Sequence, residues 1–165
     1  MDQSSELGLA RILLREGQTK PLFWGASDEG ELSHIDWSVK GQPAGDDGFK
    51  PPEYVKFSYE SEKEYRPTLA LDRSKFYPDL LMTVHQFHFA LWRTDLDGYD
   101  KPIFKSPLTF GAHNTCGAFS PTRPGVIFIT KTNGFDVWDF YDQSNKPSLT
   151  FTTATNPVYL TFQNY

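Results

Sequence analysis

The stretch Phe119–Phe140, FSPTRPGVIFITKTNGFDVWDF, decides how this chain is read. Val126–Thr130 is a run of β-branched and aromatic residues, and Phe135–Trp138 closes a second short apolar segment. Between them, Lys-Thr-Asn-Gly carries the Asn-Gly signal of a tight hairpin. Ser120 and Pro124 frame a turn ahead of the hairpin, and Trp138-Asp139 ends it. Taken alone, this is a single β-hairpin.

The same frame recurs earlier in the chain. Trp37, Trp92 and Trp138 are separated by 55 and 46 residues. A proline precedes each, Pro21 by 16 residues and Pro78 and Pro124 by 14. Ser74 and Ser120 both stand four residues before the later prolines. Each proline leads into an apolar strand (LFWGA, DLLMTV, GVIFIT), and each Trp closes a second one (LSHIDW, HFALW, FDVW). A period near 45 residues with four strands per unit is the pattern of a β-propeller. One such sheet cannot bury both faces by itself, whereas sheets stacked about an axis bury them against their neighbours. At roughly 45 residues per blade, the chain holds about two and a half to three-plus blades of antiparallel four-stranded sheet. That falls short of a closed ring, so further blades are expected from elsewhere. An open sandwich of the same sheets is the alternative arrangement.

Composition supports the all-β class. Aromatic residues make up 16% of the 165 residues, and Gly and Pro number 12 each, a mixture suited to short strands and tight turns. Net charge is −5 with no basic block, which argues against nucleic acid or an anionic membrane as partner. Apolar runs are too short for a membrane-spanning helix, and MDQSSELGLARILLREG carries charges throughout, unlike a signal peptide. A single cysteine excludes an internal disulfide and suits a reducing compartment such as the cytoplasm.

Residues 1–18 are expected to form a leader or short helix, with Leu9, Ile12 and Leu13 on one face over residues 4–16. Residues 19–165 form the partial propeller, with hairpins near 21–37, 68–93 and 114–139. Residues 40–53 read as a loop, Tyr54–Tyr65 as an edge strand and an exposed turn, and PVYLTF as a final strand.

Beyond the repeat, the residues resemble a specific family. SPTRPGVIFITKTNGFDVWDF is similar to the WD-repeat region of axonemal dynein intermediate chains, in which a blade reads roughly W-S-P-T-R-P-G-V-F-F and then D-G-x-L-D-V-W-D. Ser120 through Val126 match in order, as do Asp136–Asp139. FYPDLLMTVHQFHFALWR and PLFWGASDEGELSHIDW resemble two further segments, so the likeness runs over about residues 20–155 and is strongest to inner-arm chains. It implies a non-catalytic scaffold that binds the tail of a dynein heavy chain alongside other intermediate or light chains. The place implied is the cytoskeleton of a cilium or flagellum, where the scaffold helps dock the motor on doublet microtubules. Two departures stand out. Phe119 replaces the family's Trp, and NGFDVWD is one residue shorter than DGTLDVWD, which calls for a bulge or distortion near Phe135.

No catalytic residue, metal ligand or cofactor is expected. His85 and His88 have no carboxylate or cysteine at matching spacing and read as a solvated turn pair; a structural relay of His113 with Thr130 and Trp138 is the less favoured of the readings for that residue. Cys116 reads as a buried free thiol, and Ser120 lies in no strand-turn-helix elbow. GDDG and DLDGYD lack the ligand pattern of a helix-loop-helix calcium site. The structural repeat residues are Trp37, Pro78, Trp92, Ser120, Pro124, Trp138 and Asp139. Candidate partner contacts are Trp24, Arg123 and Phe140. Arg123 either forks onto a partner carboxylate or, as the preferred reading, bonds backbone carbonyls of the next blade. Trp24 is either packed between blades or an exposed anchor. The competing functional readings are a standalone β-sandwich or WD-repeat adaptor binding another protein or a carbohydrate, and a hydrolase for which no residue constellation speaks.

Overall fold

A computed structural model describes residues 9–14, 22–28, 30–36, 54–57, 67–96, 99, 101–109, 111–157 and 159–162. Within them lie three four-stranded antiparallel sheets, each built in chain order. The first contains β1 (Leu9–Leu13), β2 (Leu22–Ser27), β3 (Leu32–Asp36) and β4 (Tyr54–Phe57). The second contains β5 (Thr68–Arg73), β6 (Leu80–His85), β7 (Phe89–Arg93) and β8 (Phe104–Lys105). The third contains β9 (Asn114–Phe119), β10 (Val126–Lys131), β11 (Gly134–Asp139) and β12 (Leu149–Thr152).

The first strands gather together: β1 packs beside β5, and β5 beside β9. Each sheet then runs outward to a last strand that is its free edge. This is the arrangement of adjacent propeller blades rather than of a two-layer sandwich. Two cores lie between the blades. Trp24, Ala26 and Leu32 of the first sheet meet Leu81, Ala90 and Trp92 of the second. Met82, Val84, Phe89 and Leu91 of the second meet Phe119, Ile127, Ile129 and Trp138 of the third. The middle sheet is therefore covered on both faces, and β6 and β7 are buried almost without interruption. β11, in the last sheet, alternates strictly between buried and half-buried positions. A sheet covered on both faces reads as a continuous apolar run, and one covered on a single face alternates.

All three sheets carry the same irregularity. The register of each first strand against the second slips by one residue, at Ala10, Leu69 and Thr115. Such a bulge leaves one residue outside the ladder and increases the local twist. Arg11 bridges two of these places, its Nε donating to Leu69 O at 2.8 Å and its Nη1 to Ala10 O at 2.7 Å. Thr115 Oγ1 donates to Pro157 O at 2.7 Å. Pro157 and residues 159–162 lie beside β9, with Phe162 edge-on to Phe128 at 5.2 Å between ring centroids and Leu160 against the core.

The repeated serines have a physical reason. Ser74 Oγ accepts from the N–H groups of Phe76 and Tyr77, and Ser120 Oγ from those of Thr122 and Arg123. Each serine N–H then donates to the first residue of the next strand, Leu80 O or Val126 O. The side chain thus closes the turn that the proline stiffens. Gly125 follows Pro124 with a φ of 72°, a left-handed conformation that favours glycine.

Several expectations are corrected. Residues 9–13 form a strand and not a helix, because β2 offers a ladder partner in which Leu9 sits over Gly25. No bulge occurs at Phe135: β10 and β11 pair without a break from Val126↔Asp139 to Lys131↔Gly134, so Thr132-Asn133 forms a two-residue turn. The shorter sequence is thus absorbed in the turn, and the bulge lies across the hairpin at Thr115. The described residues of PVYLTF form no ladder strand, although they lie beside β9. Trp37, Pro21, residues 1–8, the 40–53 loop and the turn after Phe57 lie outside the described residues.

Candidate partner-binding surface

The turns between first and second strands (74–79 and 120–125) and the described residues after the third strands (94–96, 101–103 and 140–147) lie at the same end of the second and third sheets. Phe140 N–H donates to Gly125 O and Thr94 N–H to Asp79 O, so each turn is tied to its loop by the backbone. The residues at this end are held from below by the interblade cores.

Arg123 stands 66% exposed, and its Nη2 meets Asp139 Oδ2 at 2.8 Å. It therefore pairs with the carboxylate of its own blade, correcting the expectation that it bonds backbone carbonyls of the next. Asp139 Oδ1 accepts the N–H of Tyr141 at 3.0 Å, which directs that ring outward. The Tyr141 ring covers Gly125, where a Cβ would come within 2.7 Å of it. The neighbouring Tyr77 of the second blade is the main cause that raises the Tyr141 pKa above the ordinary tyrosine value. Tyr141 is 68% exposed and Tyr77 49%. Phe140 is half-buried, edge-on to Phe104 at 5.2 Å, and packed against Trp138. It is a wedge between blades with one side open. Trp24, by contrast, is only 8% exposed, stacked on His34 at 4.4 Å within the first interblade core. The exposed-anchor reading of Trp24 is thus corrected: its ring is taken up by packing.

Trp92 and Trp138 occupy matching places but have different neighbours. Trp92 Nε1 donates to Thr83 Oγ1 at 2.9 Å, and that hydroxyl also meets His85 Nε2 at 3.0 Å. His85 and His88 are stacked at 4.6 Å and both buried, so they are not a solvated pair. The Asn114 side chain holds the same turn, its Nδ2 donating to His85 O at 3.0 Å. His113 does not join Thr130 and Trp138. Its Nδ1 meets Gln86 Nε2 at 3.1 Å, while Thr130 Oγ1 bonds Thr115 Oγ1 and Cys116 O. In the third blade Ile129 and Lys131 stand where the second blade has Thr83 and His85. There the polar link is an ion pair, Lys131 Nζ to Asp136 Oδ2 at 2.8 Å, with Thr150 donating to Asp136 Oδ1. Trp138 instead packs edge-on against Phe89 at 5.0 Å. Pro78 and Pro124 sit in the turns between first and second strands. Cys116 is buried and free.

Sequence reasoning did not find Tyr77, Tyr141 or the Thr83–His85 pair. The first two are brought together only by the stacking of blades. The only available signal for the Thr83–His85 pair was a hydroxyl at the centre of DLLMTV, opposite a strand that ends in Trp.

Three fanned, four-stranded sheets with recurring bulges, serine-closed turns and interblade tryptophans define a stretch of WD40 β-propeller. The match to a family model narrows this further. Residues 3–161 match the model described as the dynein axonemal intermediate chain 3 WD40 domain. Dynein axonemal intermediate chain 3 of Homo sapiens is 27% identical over 149 residues, covering 87% of this chain and 15% of the relative. The Macaca fascicularis protein of the same name is 27% identical over 144 residues, with the same two shares, 87% and 15%. Dynein axonemal intermediate chain 2 of Xenopus laevis is 29% identical over 114 residues, 66% of this chain and 18% of the relative. The chain belongs to the axonemal dynein intermediate chain WD40 family, and it spans about 15% of the length of the chain 3 relatives.

Proposed function

We propose that this chain contributes a rigid, non-catalytic set of blades to an axonemal dynein motor complex, where it binds the heavy-chain tail. Its place is then the cilium or flagellum axoneme, in company with other intermediate or light chains, helping to assemble the motor or dock it on doublet microtubules. The observation that carries the reading is the family match over residues 3–161. Geometry supports it in one respect. A scaffold must hold its contact loops in fixed relative positions, and here they are mounted on strands locked by two continuous cores. Within the exposed end, Arg123 and Phe140 are the proposed contacts. A guanidinium held by one carboxylate keeps further donors for a partner, and a half-buried aromatic wedge can bury its open side.

Co-purification tests this. The chain, in its full-length protein, is expressed with an affinity tag in ciliated cells, and the recovered axonemal extract is probed for dynein heavy chain. The expected result is heavy-chain recovery that falls with Arg123→Glu together with Phe140→Ala. Recovery of no dynein subunit, with the protein outside the axoneme, would overturn the reading.

A further inference from the structure

We draw no further inference here: the strongest candidate, the apolar outer face of the third sheet, where Phe135 is stacked on Phe151 and Leu149 and Phe151 stand 56% and 45% exposed, carries nothing, because a further blade laid on it only restates the propeller fold and nothing in the structure shows any other occupant.

Discussion

Asp72, in the first strand of the second blade, accepts the backbone N–H of Phe119, in the first strand of the third, at 2.8 Å between its Oδ2 and the nitrogen. The other carboxylate oxygen accepts the N–H of Arg73 at 2.8 Å. Like Arg11 to Leu69 and Thr115 to Pro157, the Asp72 to Phe119 bond runs from a side chain of a first strand to the backbone of the segment beside it. Replacing Asp72 with Ala strands a partly buried N–H at the blade junction. The expected cost is about 1–3 kcal/mol, read as a lower urea midpoint with an unchanged slope. An unchanged midpoint would mean that the bond contributes nothing.

The same carboxylate gives a pH signature. Burial raises the Asp72 pKa above its ordinary 3.8, against the lowering effect of its two backbone bonds and Lys75. The folded chain therefore holds this proton at a pH where the unfolded chain has released it. From this residue alone, stability increases on acidification from the raised value down to 3.8, and falls as pH rises through the same window. Against Asp72→Asn, the wild type should gain relative stability as pH is lowered through that range. A loss would show that the hydrogen bonds, and not burial, control the titration.

Lys131 and Asp136 face each other across the third-blade hairpin with side chains 13% and 4% exposed. Asp136→Ala should cost about 3–5 kcal/mol, because it leaves a largely buried ammonium without its counter-charge. Lys131→Met with Asp136→Leu should recover much of that loss, since the pair's own desolvation is then avoided. Thermal unfolding of the single and double variants measures both effects. A double variant no better than Asp136→Ala would contradict this view of the pair.

In the second blade the corresponding polar link is neutral. Thr83→Val removes the acceptor of Trp92 and the partner of His85 while keeping the volume. The predicted coupling between Thr83→Val and Trp92→Phe in a double-mutant cycle is about 1 kcal/mol. A coupling near zero would show that Trp92 is held by packing alone.

Gly134 is a positional requirement. Its φ is 152°, and a Cβ there would fall 1.8 Å from Phe151 O in β12. Gly134→Ala should therefore push β12 from the sheet edge, at about 1–3 kcal/mol. Hydrogen exchange should become faster at Thr153, whose N–H is bonded to Asn133 O beside the same turn. Unchanged exchange there would contradict the close approach.

Much of the fold was legible because some residues answer to local physics. Ser120 and Pro124 build a turn whose side-chain bonds span at most three residues and whose closing backbone bond spans six, so their recurrence at Ser74 and Pro78 could be seen in sequence. β1 was misread because Leu9, Ile12 and Leu13 fit a helical face as well as a strand, and only the distant Gly25 decides between them. The bulges were invisible because Ala10, Leu69 and Thr115 share a backbone role and no side-chain chemistry. Arg123 was recognised as the notable charge, yet its partner Asp139 lies across the hairpin and was assigned only to the repeat. The Tyr77–Tyr141 contact depends on how two blades stack, which no spacing within either blade encodes.

The central claim is that these blades offer their turn end to a dynein heavy-chain tail. Hydrogen–deuterium exchange of the full-length protein, with and without a heavy-chain tail fragment, tests it most directly. The account predicts protection of residues 74–79, 120–125 and 140–147 on binding. Protection confined to the opposite turns at 86–88 and 132–133, or none at all in these blades, would contradict it.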